Sequence, residues 1–168
     1  MLIAFSGLPG SGKSTIAKLL AARLRAAYLR IDTIEQALLR AGAASPIGPE
    51  GYLTAGAIAE DTLRAGTPVV VDAVNAEAIS RDAWPALAYR LGAHFLAVGI
   101  HCSDPAEHRR RVETRTADID GHVQPTWAKV SATAFEPFPA GTLIIDTAND
   151  SPEAAADRII DRLAPAAP

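Results

Sequence analysis

The chain opens on an apolar run, Leu2 to Phe5, that breaks at Ser6 into a glycine-rich stretch and then into a helical rhythm. Ile16, Leu19, Leu20, Leu24 and Ala27 recur at the spacing of one buried helix face. Tyr28–Ile31 reads as a second strand ending at Asp32, and Thr33–Ala41 as a helix stopped by Gly42. Ser45–Gly51, with two prolines, reads as a loop, and Tyr52–Ala65 as a helix closed by Gly66. Pro68–Val71 is the cleanest strand, ended by Asp72, and Arg81–Leu91 is helical despite Pro85, with Gly92 as its stop. His94–His101 forms strand four. A helix over Pro105–Thr116 follows, capped by Ser103 or Asp104. Asp118–Gln124 is irregular, Thr126–Phe135 a short helix and Thr142–Asp146 strand five. Ser151 caps a last helix to Leu163, and Ala164–Pro168 is a loose tail.

Strands alternating with helices predict an α/β fold, a parallel sheet with helices on both faces. Such sheets bind ligands at the carboxyl ends of their strands. The polar residues at those ends are therefore the candidates for chemistry. They are residues 7–15 after strand one, Asp32 after strand two and Asp72 after strand three. The Cys102–Asp104 turn follows strand four, and Asp146–Asn149 follows strand five.

Residues 7–15 read Gly-Leu-Pro-Gly-Ser-Gly-Lys-Ser-Thr. An apolar strand running into G-x-x-x-x-G-K-S and then a helix is the pattern of a phosphate-binding loop. Gly7, Gly10 and Gly12 allow backbone angles and approaches that a Cβ would block. With Pro9 stiffening the loop, the amides through Ser11 wrap the anion. Lys13 supplies a point charge for the β- and γ-phosphates, and Ser14 a hydroxyl for Mg²⁺. Thr15 either touches an α-phosphate or caps the helix.

Composition narrows the class. The chain has 168 residues, 49% of them hydrophobic and 21% charged, which suits a sizeable core. A net charge of −3 and 5% aromatic residues argue against a dedicated nucleic-acid surface. One cysteine, Cys102, excludes an internal disulfide framework. No apolar stretch approaches the ~20 residues a membrane span needs. A cytoplasmic location with no membrane association is the expectation. The four histidines have no metal-ligand spacing with one another or with Cys102.

Taken with the loop at Gly7–Thr15, three segments carry a resemblance: Arg30-Ile-Asp32, Val69-Val-Val-Asp72-Ala-Val-Asn75 and Arg109-Arg-Arg-Val-Glu-Thr-Arg115. Together they resemble the small P-loop kinases of the nucleoside-monophosphate-kinase class, which include shikimate and gluconate kinases, chloramphenicol phosphotransferase and polynucleotide kinase. The Val-Asp-Ala-Val-Asn segment is closer to AAA-type ATP-binding proteins. The resemblance implies sheet order 2-3-1-4-5, and one domain over residues 1–168 with an acceptor-side helical region about 33–66 and a lid about 109–125. It implies ATP and Mg²⁺, and transfer of the γ-phosphate to a hydroxyl of a small molecule. Lys13, Asp32 and Arg115 would be catalytic, with Arg115 on the phosphates. Arg111, four residues away and on the same helix face, packs near the adenine or the phosphates. Ser14 and Asp72 would hold the metal, although Asp32 and Asp72 could exchange roles. Asn75 and Arg81 line the acceptor pocket or support the turn, and Glu35 faces the same cleft or water. The 33–66 stretch has few hydrogen-bonding side chains, hinting at a partly apolar acceptor. Phe135-Glu-Pro-Phe138 resembles a segment preceding strand five in related ATP-binding proteins.

Two other functions share these features. A polynucleotide 5′-hydroxyl kinase would use the same loop and Asp32 but wants a basic channel. A nucleotide-gated switch would need D-x-x-G after strand three and N-K-x-D. The D-x-x-G at Asp118–Gly121 follows strand four instead, and N-K-x-D is absent. No stable protein partner is evident.

Overall fold

The computed structural model describes residues 1–164, so most of the expected tail lies outside the described residues. The chain order is β1 (Leu2–Ser6), α1 (Lys13–Leu24), β2 (Ala27–Arg30), α2 (Ile31–Arg40), α3 (Glu50–Arg64), β3 (Val69–Asp72) and α4 (Ala78–Arg90). It continues with β4 (Phe95–His101), α5 (Pro105–Thr114), α6 (Trp127–Ala132), β5 (Leu143–Asp146) and α7 (Pro152–Leu163). The five strands form one parallel sheet in the order β2-β3-β1-β4-β5.

Strand pleating sorts the core into two halves. Ile3, Phe5 and Val70 face α1 and α7, where they meet Ile16, Leu20 and Ile159. Leu2, Ala4, Val69 and Val71 face the other way, toward Ala55, Ala59, Trp84 and Leu87 of α3 and α4. Every residue of β1 and β3 is buried, as strands covered on both faces should be. Among the described residues, no helix is long and apolar enough to cross a membrane.

Three boundaries differ from the sequence reading in ways that move candidate residues. β2 stops at Arg30, and α2 starts at Ile31, whose side chain is 3% exposed in the core. Asp32 therefore sits in the first turn of α2, where the helix dipole favours its charge. α5 ends at Thr114, and Arg115 is extended, with φ −66° and ψ 139°, so Arg111 and Arg115 do not share a helix face. α6 ends at Ala132, because Phe135 packs edge-on to Phe138 and beneath the Arg81 guanidinium instead of continuing the helix.

Candidate functional site

The loop between β1 and α1 has the form its glycines require. A Cβ on Gly7 would lie 2.3 Å from the Ile100 carbonyl oxygen. On Gly10, at φ +81°, it would lie 2.5 Å from Val112 Cγ2 of α5. Neither position admits another residue without moving backbone or helix. The helices α5, α6 and α7 are capped by the side chains of Asp104, Thr126 and Ser151. α1 begins after Gly12 with no side-chain cap, as α2, α3 and α4 do, and with no acid in its first turn. Its leading amides and dipole face the cleft, the arrangement that binds anions. Lys13 and Ser14 line that cleft with Gly10, Gly12 and Thr15. Lys13 is 7% exposed; burial pushes its ammonium below the ordinary value, while the charges of Asp72 and then Asp32 oppose the shift.

Asp72, at the end of β3, is 2% exposed. The Tyr28 hydroxyl donates to its Oδ2 at 2.6 Å, and its Oδ1 is buried with no hydrogen-bond partner. A buried carboxylate oxygen without a donor is costly unless a cation or water supplies one. Burial, followed by the Asp72 charge, pushes the Tyr28 phenol above its usual range, and a side-chain hydrogen bond with Ser14 acts in the opposite direction. Tyr28 thus fixes the carboxylate of one of the two residues expected to hold a metal. The set of a hydroxyl, a carboxylate and an unpartnered oxygen fits Mg²⁺, which takes few protein oxygens and keeps water for the rest.

Asp32 lies 3.6 Å from Arg30 Nε, which is also 3.9 Å from Asp72 Oδ2. Arg115 reaches the same cleft, its Nε buried and unpartnered. Burial lowers the pKa of Arg115, with the Asp32 charge opposing; the guanidinium remains charged. Lys13, Ser14, Arg30 and Arg115 line one cleft of about 430 Å³, and Asp32 and Asp72 lie behind it, against the Arg30 Nε. Burial and then the Asp32 charge push the Glu35 carboxyl up. Burial also pushes the nearby Tyr52 phenol up to about 12, with the Glu35 and Asp32 charges adding to the shift.

Arg111 is spoken for on the opposite side. Its Nη1 donates to Thr147 Oγ1 at 2.8 Å and its Nη2 to the Thr147 carbonyl at 2.9 Å. Thr147 Oγ1 in turn donates to the Ser11 carbonyl at 2.8 Å. The loop after β5 is thereby tied to the phosphate-binding loop. His108 Nε2 lies 2.8 Å from the Pro9 carbonyl oxygen, and the His108 ring meets the edge of Trp127. Arg109 and Arg110 pair with Glu113 and Glu107 on the surface of α5.

Three strand-end candidates are structural. Asp146 accepts from Ser103 N and Oγ, Ala148 N and Asn149 Nδ2, which holds two turns together and places it outside the acidic cluster. Asn75 is fully buried in the left-handed region at φ 48°, and its amide donates to the Phe5 carbonyl and Ser6 Oγ. Arg81 donates to the carbonyls of Asn75, Ala76, Glu136 and Pro137. Those bonds fasten the Phe135–Phe138 segment over the sheet. Sequence reasoning gave no role to Tyr28 or His108, quoted Arg30 only as part of a motif and took in Thr147 only as part of the loop after strand five. The one available signal was Arg30, a charge closing a short apolar strand beside Asp32.

The chain belongs to the AAA domain family, whose model matches residues 2–135. A comparison with curated proteins finds no sequence match. Solved structures with this fold include a Chloroflexus aurantiacus protein provisionally called a kinase, with TM-score 0.75 and 18% identity over 96% of this chain and 94% of that one. Kti12 from Chaetomium thermophilum, solved with ADP-AlF3, gives 0.71 and 21% over 98% and 100%. The Mycobacterium tuberculosis APS kinase, in complex with AMPPNP and APS, gives 0.68 and 22% over 96% of each chain. The fold is that of the small P-loop kinases.

Proposed function

We propose that this AAA-domain protein is an ATP-dependent phosphotransferase that moves the γ-phosphate to a hydroxyl of a small molecule. One observation carries the reading: a helix N-terminus left uncapped beside buried Lys13, with two carboxylates, Asp32 and Asp72, flanking that lysine. A nucleotide-binding module needs the first part alone. The second carboxylate is what phosphoryl transfer adds, because an acceptor hydroxyl must be oriented in line with the phosphate.

The roles divide by environment. The Gly10–Thr15 amides and Lys13 hold the triphosphate. Ser14 and Asp72 are the residues to hold Mg²⁺, which when bound neutralises charge on the β- and γ-phosphate oxygens. Asp72 is fixed by Tyr28 and fully buried, so it is the poorer choice to meet a second substrate. Asp32 has a third of its side chain exposed and lies 3.6 Å from the Arg30 that lines the cleft, so it is the one to accept the acceptor's proton or orient its hydroxyl. Arg115, with Nε free, stabilises charge on the transferring group. Residues 115–126 act as the lid, and Arg111 with Thr147 frames the base side. The likeness of the fold to an APS kinase and a gluconokinase supports phosphotransfer.

The test is a pair of measurements on Asp32→Asn. Transfer from labelled ATP to an acceptor found by screening sugars, nucleosides, antibiotics and 5′-hydroxyl oligonucleotides should be abolished. Calorimetric binding of Mg·AMPPNP should persist. Full turnover in the variant would remove Asp32 from its role, and transfer confined to oligonucleotides would favour a polynucleotide kinase.

A further inference from the structure

The 115–126 segment does more than cross the cleft. Asp118 lies on it, and Arg30 Nη1 donates to both of its carboxylate oxygens at 2.8 Å. Lys18 of α1, one turn beyond Ser14, donates to Asp118 Oδ2 at 2.7 Å. The hydrogen bonds from Lys18 and then Arg30 hold the Asp118 carboxyl well below its usual range. Arg115 borders the same space, and its Nε and that of Arg30 are both buried without a hydrogen-bond partner. Arg30 as a whole is 8% exposed. A nine-tenths buried guanidinium that lines the cleft, its Nε turned to Asp32 and Asp72 beyond hydrogen-bond distance and its Nη1 held by a half-exposed loop carboxylate, becomes a receptor for an anion once that carboxylate leaves.

We propose that Arg30 and Lys18 form an anion subsite for the second substrate, and that Asp118 is the internal carboxylate which that substrate's anion displaces. The inference rests on the phosphotransferase reading above and adds to it the chemical class of the acceptor. The acceptor bears a hydroxyl and, a few bonds away, a phosphate, sulfate or carboxylate. The placement of Arg30 argues for the acceptor over the nucleotide. The triphosphate follows the amides of the glycine-rich loop and Lys13, with Arg111 on its far side. Arg30 instead closes β2, with its Nε 3.6 Å from Asp32, the carboxylate that meets the acceptor hydroxyl. The few hydrogen-bonding side chains expected of residues 33–66 fit as well, since the cations that recognise the acceptor come from β2 and α1. Asp118 suits a displaceable role: its side chain is 47% exposed on a loop, so breaking its ion pairs leaves it in water. Occupation by an internal group reduces apparent affinity by the fraction of molecules in which it sits, so its removal strengthens binding.

The experiment is a calorimetric titration of inorganic phosphate into the full chain saturated with Mg·AMPPNP. Asp118→Asn should bind phosphate about tenfold more tightly than the unaltered chain. Adding Arg30→Gln should erase that gain. Lys18→Gln, on a half-exposed residue whose replacement does not threaten folding, should reduce it several-fold. Equal phosphate affinity with and without Asp118→Asn would overturn the proposal. So would a gain that Lys18→Gln leaves undiminished, or one that appears only when AMPPNP is left out, because the anion would then be the nucleotide's own. If the unaltered chain binds no AMPPNP, the nucleotide reading fails by itself. The titration repeated on Lys13→Ala, with and without Asp118→Asn, still reads the subsite: a retained gain supports it and a lost gain overturns it.

Discussion

The Tyr28 hydroxyl donates to Asp72 Oδ2 at 2.6 Å while Asp72 Oδ1, buried beside it, has no partner. A single phenol on β2 fixes which oxygen of the β3 carboxylate remains available to a cation. Tyr28→Phe keeps the ring and removes the donor. Orienting partners of this kind are worth about 10–100-fold in metal affinity. We expect Mn²⁺ binding to the AMPPNP-loaded protein, followed by electron paramagnetic resonance, to weaken by about tenfold. Unchanged Mn²⁺ affinity would show that Tyr28 serves packing alone.

His108 places Nε2 2.8 Å from the Pro9 carbonyl and its ring against Trp127. Its replacement by Ala leaves a carbonyl of the phosphate-binding loop without its partner, a loss of about 1–2 kcal/mol. Nucleotide affinity should fall several-fold, and Trp127 fluorescence should shift because its edge contact is gone. A variant with normal fluorescence and normal affinity would remove His108 from loop support.

Asn75 combines a left-handed backbone at φ 48° with a fully buried, hydrogen-bonded amide. Asn75→Ala should lower stability by about 3 kcal/mol, from lost hydrogen bonds and backbone strain together. Asn75→Gly should recover about 1 kcal/mol of that, the part owed to strain. Denaturant titration of both variants reads the difference, and equal losses would mean that the left-handed angle costs nothing here.

Glu35 carries a pH prediction. Burial and the Asp32 charge raise its folded pKa above the unfolded value. The folded state then binds the proton more tightly, so stability falls as pH rises from the ordinary glutamate value through the raised one. Above that window the ionised carboxylate is a net cost. Glu35→Gln should therefore be more stable than the unaltered chain at pH 7, with the advantage shrinking toward zero near pH 4. An advantage that is constant with pH would assign the effect to packing.

How much of this could be read from the residues differs between fold and site. Element order, the phosphate-binding loop and Asp72 were legible, because each is a local pattern: Val-Val-Val ending in Asp, or glycines at fixed offsets. Gly42, Gly66 and Gly92 were legible as helix stops, and all three have positive φ. The partners of those local features were not. Tyr28 and Asp72 are 44 residues apart in the chain, and Arg30 and Asp118 are 88 apart. They meet because β2 lies beside β3 and because the segment after α5 crosses to that edge, and neither fact is written in any one stretch. Arg115 was expected on the α5 helix face; it reaches the cleft by leaving the helix. Asp146 had the same local appearance as Asp72, a carboxylate at a strand tip, and differs only in being surrounded by the donors of Ser103, Ala148 and Asn149.

Thr147 touches the Ser11 carbonyl, the Arg111 guanidinium and the His101 carbonyl at once. One side chain on the outermost strand's exit thus acts as a keystone among three loops. Disturbance at that margin of the sheet, from a fusion partner pressed against α7 or a loosened β5, will register as poorer nucleotide capture on the far side of Gly12, even though nothing at the margin contacts a phosphate.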